Sequence, residues 1–479
     1  MHNRLYSLIN LAGLTLSLAL VIIVFSFVDA QRRISKSLPD YGNTYAVTRE
    51  GMTIMCFGIA ERIEGLPECE AASTFSSPTP NHICEFQGRN FQTDAMSADR
   101  TFLEIAGVEF VSGGAEDFTA SGILLSETFA SRISSDTDPM GMRISVDSTD
   151  YMVEGVFKNL GSGLIPKTDI IINNEAPSGP AAVYMKNPLN YFGNLTVLVK
   201  LRPDADPFSA TGKINGLFED HDYLNGKLSL IRSDELYFSD ANISLNKGSR
   251  KLIRNMLAAG LALLLLAVLN YVNLNTALVG KRTRELAIRR LLGSERRDIL
   301  FRYITESGLF TALCFTFALL LAAALTPVVG SLTLDPTQTV SSALFRVADI
   351  FRPLNILYYL TLCLVTSVTC GIIPALLASR TPPVEAIKGS PGTRDKRSLM
   401  KIFIILQNAI SITLITLTLT MEAQTRHMLD RPVGCDYTDL SYFVPGSFFR
   451  AEDSNLLMER FRQLPCVAEI GACNGLPGI

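Results

Sequence analysis

Few residues of this 479-residue chain have the types and spacing that catalysis or metal binding requires. The nine cysteines include no C-x-x-C pair, and neither they nor the four histidines show a metal-type spacing. The sequence contains no G-x-x-x-x-G-K-[S/T] phosphate-binding loop and no recognisable nucleophile or paired-carboxylate constellation. We therefore expect this chain to have no enzyme activity, catalytic residue, cofactor or bound metal.

Residues 280–293 carry the pattern that most clearly indicates a function. Four apolar residues form a stripe on a predicted helix that is otherwise largely Arg, and a glycine ends that helix. Such a helix could lie on the membrane with its Arg side chains near anionic headgroups, or dock into a groove of an ATPase. The two interpretations are about even, although Glu285 within the basic run favours a specific partner. The stripe is Ala287, Ile288, Leu291 and Leu292, and the candidate partner-binding residues are Arg284, Glu285, Ile288, Arg289, Leu291, Leu292 and Gly293.

Five long apolar segments place this helix at a membrane. The chain is 48% hydrophobic and 19% charged, which suits a few spanning helices attached to a sizeable aqueous domain. A spanning helix needs roughly 20 apolar residues. The first segment could instead be a signal peptide cleaved near Ala30, but an apolar stretch of about 24 residues favours a retained anchor. The predicted spans are residues 5–28, 252–279, 304–329, 356–379 and 402–421.

Lys and Arg in the short loops predict the orientation of the spans. The loops between spans two and three and between spans four and five are rich in both, whereas the loop between spans three and four has only Arg346 and Arg352. We therefore expect the two basic loops in the cytoplasm and residues 29–251 outside it. Arg32 and Arg33 oppose this orientation, but long domains translocate largely regardless of their charge.

Residues 29–251 have the composition of an ordinary globular domain. Runs of β-branched and aromatic residues predict strands at 144–146, 151–157 and 195–201, and a capped helix is predicted over 126–133. A length of about 220 residues predicts two α+β subdomains with a core of their own. His82 and His221 are isolated and carry no functional prediction. Cys56, Cys69 and Cys84 leave one disulfide open, without an assignable pair.

Several motifs, in order along the chain, resemble the FtsX permease domain. NYVNLN at residues 270–275 is followed by RELAIRRLLG at 284–293 and by ES at 306–307, while PALLAS at 374–379 and PVEAIKG at 383–389 resemble the exit of that domain. SLINLAGL at 7–14 resembles the first span of large Bacteroides-type permeases. DPMG at 138–141 and YMVEGVF at 151–157 resemble the periplasmic domain of MacB-type proteins.

The resemblance covers essentially the whole chain and implies a permease subunit of an ABC transporter. In such systems a separate ATPase drives movement of the periplasmic domain, in efflux or export from the periplasm or membrane, and residues 285–293 would form the coupling helix. The alternative is an FtsX-like signal transducer that activates a periplasmic partner such as a cell-wall hydrolase. The implied location is the cell inner membrane, multi-pass, with residues 29–251 in the periplasm.

The expected partners are a cytoplasmic ABC ATPase subunit and membrane lipid. A homodimer and a periplasmic adaptor or substrate protein are left open. A net charge of −3 gives no basic footprint, so nucleic acid is not expected as a partner.

The chain also resembles itself at an offset of 398 residues, which relates Asn10 to Asn408 and Glu61-Arg62 to Glu459-Arg460. We therefore interpret residues 422–479 as the incomplete start of a second periplasmic domain, and hypothesise a truncated fragment, which could be non-functional. The predicted fold is an α+β membrane protein of about five transmembrane helices, with a large mixed α/β extracytoplasmic domain between the first and second spans. Its expected parts are an N-terminal span (1–28), a MacB-like domain (29–251), an FtsX-like permease domain with three spans (252–389) and a linker with the fifth span (390–421).

Overall fold

The computed structural model describes residues 3–134, 138–161, 163–176, 181–185, 187–190, 192–241, 245–291, 294–333, 347–379, 394–431, 441 and 451–471. These residues fall into two compact units. The first unit holds the described residues up to 30, 250–333 and 347–431. The second holds those of 31–249, with 441 and 451–471.

The helices and strands follow in chain order. The helices are α1 (Asn3–Ser35), α2 (Ile59–Glu64), α3 (Arg100–Ala106), α4 (Glu127–Ile133), α5 (Ala182–Met185), α6 (Pro207–Gly216), α7 (Ser233–Leu236), α8 (Arg250–Leu291), α9 (Arg296–Thr333), α10 (Val347–Ile350), α11 (Pro353–Ser379), α12 (Arg394–Asp430) and α13 (Ala451–Arg462). The strands are β1 (Thr44–Arg49), β2 (Met55–Cys56), β3 (Cys69–Ser76), β4 (Thr79–Phe86), β5 (Arg89–Ala98), β6 (Phe110–Gly113), β7 (Gly122–Ser126), β8 (Arg143–Val146), β9 (Thr149–Phe157), β10 (Ile170–Asn173), β11 (Phe192–Gly193), β12 (Leu195–Leu201) and β13 (Leu228–Arg232).

Five helices in the described part of the chain are long and apolar enough to cross a membrane. Each overlaps one predicted span, so the prediction of five spans is confirmed by length and composition. The structure extends the first and fifth of them beyond their predicted ends. The candidate spans are Leu8–Ser35, Arg250–Asn273, Arg297–Val328, Pro353–Ile372 and Lys401–Asp430.

The first and last strands of the second unit, β1 and β13, belong to a four-stranded antiparallel sheet with the strand order β13-β1-β12-β3. In chain order its elements are β1, α2, β3, β12, α6 and β13, which is the β-α-β-β-α-β topology called ferredoxin-like. Residues 77–194 are inserted between β3 and β12. The predicted strand at 195–201 is confirmed as β12.

The insertion forms a second sheet, in the order β6-β9-β7-β10-β5-β4-β8. Since β8 pairs with β9 as well as with β4, six strands close on themselves and β6 extends from β9. We call this sheet the inserted barrel. The two strands predicted here are confirmed as β8 and β9, and the predicted capped helix as α4, where the Ser126 hydroxyl accepts the Phe129 N–H at 3.2 Å.

Three apolar cores hold the second unit together. One lies against α2 and α6 on the four-stranded sheet, and another involves strands of both sheets. The third is formed by the inserted barrel together with α4. Side chains alternate between the faces of a strand. On β7 this places Leu124 in the shared core, while Ile123 and Leu125 lie in the core of the barrel.

Candidate functional site: the helical bundle and the segment after the second span

The segment predicted to bind a partner continues the second span without a break. Helix α8 runs for 42 residues, from Arg250 to Leu291. At a rise of 1.5 Å per residue this is a rod about 63 Å long. The backbone of Arg284, Glu285, Ile288, Arg289 and Leu291 lies on its last two turns, whereas Leu292 and Gly293 lie outside the described residues. The sequence predicted a short helix at the mouth of the span, and the structure makes it the end of the span's own helix.

Helix α9 starts shortly after α8 ends. The Glu295 N–H donates to Oδ2 of Asp298 at 2.9 Å, which satisfies one of the free backbone donors at the start of α9. Only residues 292–295 lie between the two helices, and Tyr271 of α8 contacts Phe310 of α9 with the ring centroids 5.4 Å apart.

Large side chains of α1 pack against small ones of α9 in the core of the bundle. Leu14, Leu18 and Ile22, each 2% exposed or less, follow one another at four-residue spacing on α1. They belong to the same core cluster as Cys314, Ala318 and Ala322, which have the same spacing on α9. Close packing of this kind is the main attraction between helices in lipid, where water supplies no hydrophobic drive.

Helices α9 and α11 cross closely through small residues. The Ser307 hydroxyl donates to the Ser367 carbonyl oxygen at 3.1 Å. A Cβ atom placed on Gly371 would lie 2.5 Å from Ser307 Oγ and 2.9 Å from Ile304 Cα. Only glycine at position 371 therefore fits this crossing without a shift of the backbone.

Polar side chains join the helices at both ends of the bundle. At one end, Asn355 Nδ2 donates to Asp29 Oδ2 at 3.3 Å and to the Asp349 carbonyl oxygen at 2.8 Å. At the other end, Asn273 Nδ2 donates to Gln407 Oε1 at 3.2 Å, which connects α8 to α12. Neither contact could be predicted from the sequence, because each pairs residues far apart in the chain.

The described residues contain no group of three or more His, Cys, Asp or Glu that could hold a metal ion. The thiols of Cys56, Cys69 and Cys84 are free and buried, so the open question of a disulfide among them is answered in the negative. Burial raises the pKa of Cys56 and of Cys69 to about 11, and that of Cys84 to about 12. Because the thiolate is the reactive form, these three residues act as small apolar side chains.

The expectation that His82 is isolated is wrong. Its Nδ1 lies 2.5 Å from Asp147 Oδ2, and its Nε2 lies 2.7 Å from Thr79 Oγ1. The other carboxylate oxygen of Asp147 accepts the Ile83 N–H at 3.0 Å. Asp147 and Ser148, both with positive φ, form the two-residue turn between β8 and β9. His82, on β4, therefore holds this turn against β4 through its contact with Asp147.

Two family models match the chain. A MacB-like periplasmic core domain matches residues 7–217, and an FtsX-like permease C-terminal domain matches residues 257–383. Together they cover most of the chain, in the order that the motifs predicted. This chain belongs to the FtsX/MacB type of membrane permease. The first match runs from α1 to the end of α6 and the second from α8 to α11, so the FtsX/MacB-type assignment covers both units.

Curated relatives also match parts of this chain. The Pyoverdine export ATP-binding/permease protein PvdT of Pseudomonas syringae pv. tomato is 26% identical over 254 residues, which is 52% of this chain and 35% of that protein. The Macrolide export ATP-binding/permease protein MacB of Marinobacter nauticus is 21% identical over 407 residues, or 81% of this chain and 59% of that protein. The chain thus spans between about a third and three-fifths of the length of these two relatives.

Solved structures of similar domains also match. The periplasmic region of MacB from Actinobacillus actinomycetemcomitans matches 42% of this chain and 92% of its own, with 12% identity and a TM-score of 0.32. A domain of a putative permease protein from Porphyromonas gingivalis matches 41% of this chain and 92% of its own, with 21% identity and a TM-score of 0.34.

Proposed function

We propose that this FtsX/MacB-type permease is a subunit of an ABC transporter in the cell inner membrane. A separate cytoplasmic ATPase engages residues 284–293, and its ATP-driven motion moves the spans and the periplasmic domain in export from the periplasm or membrane. The observation that carries the proposal is the continuity of α8 from Arg250 to Leu291. A force applied to the Arg-rich end of one unbroken helix is passed along that helix into the span.

The relatives support a role in transport. Both are named as export ATP-binding/permease proteins. The 479 residues contain no phosphate-binding loop. The proposal places ATP binding on a separate polypeptide. The number of Lys and Arg residues in the loops supports a cytoplasmic position for residues 280–302.

Capture of the ATPase tests the proposal. The tagged full-length chain, purified in detergent from membranes of its native host with a non-hydrolysable ATP analogue, is expected to recover a P-loop ATPase detectable by mass spectrometry. Leu291→Asp with Leu292→Asp places two charges on the apolar stripe. Because a few apolar anchors provide most of the binding energy of an interface, we expect recovery to fall about tenfold or more.

Phe208→Asp is the matched control, since Phe208 is 88% exposed in the other unit and a charge there leaves the stripe intact. Recovery equal to that of the unsubstituted chain in Leu291→Asp/Leu292→Asp would show that the stripe does not bind the ATPase.

Thiol labelling in intact cells tests the proposed orientation. Tyr223→Cys, at a position that is 70% exposed, is introduced after Cys435, Cys466 and Cys473 have been replaced by Ser. We expect a membrane-impermeant maleimide that has passed the outer membrane to label Cys at position 223 before lysis. Labelling that appears only after the inner membrane is opened would reverse the orientation.

A further inference from the structure

The chain passes between the two units twice, and we call the two connecting segments the crossings. The first crossing, residues 36–43, leads from α1 to β1, and the second, residues 237–249, follows β13 and α7 and leads to α8. The two crossings therefore adjoin neighbouring strands of the second unit. Strands β1 and β13 pair with each other, with Tyr45 opposite Arg232. The four-stranded sheet is therefore connected covalently to both crossings. The inserted barrel is connected covalently to that sheet through the chain that follows β3 and precedes β12, and it packs against the sheet in the shared core.

Residues 163–165 of the inserted segment bind both crossings directly. The Ser37 hydroxyl, just after α1, accepts the Leu164 N–H at 2.7 Å. Asn246, just before α8, donates its backbone N–H to the Leu164 carbonyl oxygen at 3.0 Å. Its side-chain Nδ2 donates to the carbonyl oxygens of Gly163 at 2.8 Å and Ile165 at 3.2 Å. Two residues of the crossings thus satisfy four backbone groups of a three-residue segment.

Residues 163–165 are also closely packed against the two crossings. Leu164 and Ile165 are 0% and 5% exposed, and they share a core with Leu38 from the first crossing and Leu245 from the second. A Cβ atom on Gly163 would lie 2.5 Å from Ser37 Oγ and 2.7 Å from Ser37 Cβ. The absence of a side chain at position 163 is what allows the first crossing to approach this closely.

The chain on either side of these residues leads into the barrel. Strand β9 ends at Phe157 and β10 begins at Ile170. Both strands belong to the closed sheet, and Phe157 and Ile171 lie in the same core as Leu164. A displacement of residues 163–165 is therefore passed to two barrel strands over a short and well-packed path.

We propose that Ser37 and Asn246 are positioning residues that fasten the inserted barrel to both crossings, so that a movement of either crossing reaches the barrel without passing through the four-stranded sheet. The source of that movement rests on the proposed function, but the fastening itself does not. It makes the barrel, and not only the ferredoxin-like sheet, a part that moves with the spans.

Distances between spin labels test the fastening on the full-length chain in lipid nanodiscs, without any ATPase. One label replaces Lys36 in the first crossing, and the second replaces either Val111 on β6 or Tyr223 beside the four-stranded sheet, in the background with Cys435, Cys466 and Cys473 replaced by Ser. Positions 111 and 223 are 55% and 70% exposed. In Ser37→Ala/Asn246→Ala we expect the 36–111 distance distribution to broaden about twofold and the 36–223 distribution to keep its width.

Hydrogen exchange gives a second measurement of the same claim. Asn246→Ala removes the side-chain donor to the carbonyl oxygens of Gly163 and Ile165 and so loosens residues 163–165. The Leu164 N–H, which donates to Ser37 Oγ, should then exchange about tenfold faster. Gly163→Ala should have a similar effect by pushing Ser37 away. Its matched control is Gly114→Ala, because a Cβ on Gly114 meets nothing within 4 Å. The control for Asn246→Ala is Asn225→Ala, whose Nδ2 donates to the Glu219 carbonyl oxygen at 3.1 Å away from residues 163–165.

Two results would overturn the proposal. The 36–111 distribution could keep its width in Ser37→Ala/Asn246→Ala, or both distributions could broaden alike, which would show general loosening. Neither result depends on an ATPase, so they are separate from a failure of the pull-down, which bears on the proposed function alone.

Discussion

Asp99 shows how a single buried carboxyl group can make the stability of the second unit depend on pH. It caps α3, where its Oδ1 accepts the Phe102 N–H at 2.7 Å and the Ser73 hydroxyl at 2.7 Å. Burial raises the pKa of Asp99 above its usual 3.8, and the two hydrogen bonds oppose this only in part. The folded domain therefore holds a proton on Asp99 at pH values where the unfolded chain has lost it.

The sign of the pH dependence follows from that difference. Between the ordinary pKa and the raised pKa of Asp99 the folded state binds more protons than the unfolded state, so the free energy of unfolding falls as pH rises through this window. Asp99→Asn keeps the capping oxygen and removes the charge. We expect its stability advantage over the wild type to appear as pH rises above about 4, the ordinary pKa of Asp, measured by thermal unfolding of the full-length chain in detergent.

Two comparisons make this prediction specific. A weaker slope should persist in Asp99→Asn, because burial and the nearby Asp169 also raise the pKa of Asp94. Asp206→Asn, the same exchange at the exposed cap of α6, should leave the wild-type slope in place. If the stability of Asp99→Asn differed from that of the wild type by the same amount at every pH, the raised pKa of Asp99 would be contradicted.

At the scale of elements, the crossing of α9 and α11 is set by the smallest side chains in the bundle. Gly371→Ala would place a methyl group 2.9 Å from Ile304 Cα, and this backbone atom can give way only if the helices separate. We expect a loss of about 1–3 kcal/mol, the usual cost of overpacking. The measurement is the shift of the thermal unfolding midpoint of the full-length chain in detergent.

Gly260→Ala on α8 is the matched control, because its new Cβ would contact Val24 at an ordinary 3.8 Å. Here the higher helix propensity of alanine should leave stability unchanged or raise it by up to about 1 kcal/mol. Equal midpoints for Gly371→Ala and Gly260→Ala would mean that α9 and α11 do not pack as closely as described.

Elements that local sequence specifies were predictable, and those that depend on distant partners were not. Apolar runs long enough to cross a membrane identify all five candidate spans, and alternating runs identify β8, β9 and β12. The closure of the barrel depends on the pairing of Cys84 with Val146, 62 positions apart, for which a single sequence holds no signal. The contacts of His82 with Asp147 and of Asn355 with Asp29 were missed for the same reason.

At the scale of the whole molecule, the sequence predicts which residues would bind a partner, whereas their continuity with the second span is visible only in the structure. The Arg-rich segment at residues 284–293 can be recognised in the sequence, because its composition depends only on neighbouring residues. Its backbone up to Leu291 belongs to the helix that starts at Arg250, and this is a property of the fold, since α8 passes through Gly280 without interruption. The proposed transmission of motion from the ATPase to the span depends on this continuity.

Breaking α8 between the span and the stripe is the most direct test of the proposal that this helix transmits motion. Ala277→Pro removes one backbone hydrogen bond and kinks the helix, whereas Gly280→Ala at a nearby position stiffens it. The measurement is the ATP-dependent change in distance between spin labels at positions 111 and 223, in the chain assembled with its captured ATPase. We expect Gly280→Ala to keep this change and Ala277→Pro to lose it while still recovering the ATPase. An undiminished change in Ala277→Pro would contradict the claim that α8 transmits the motion.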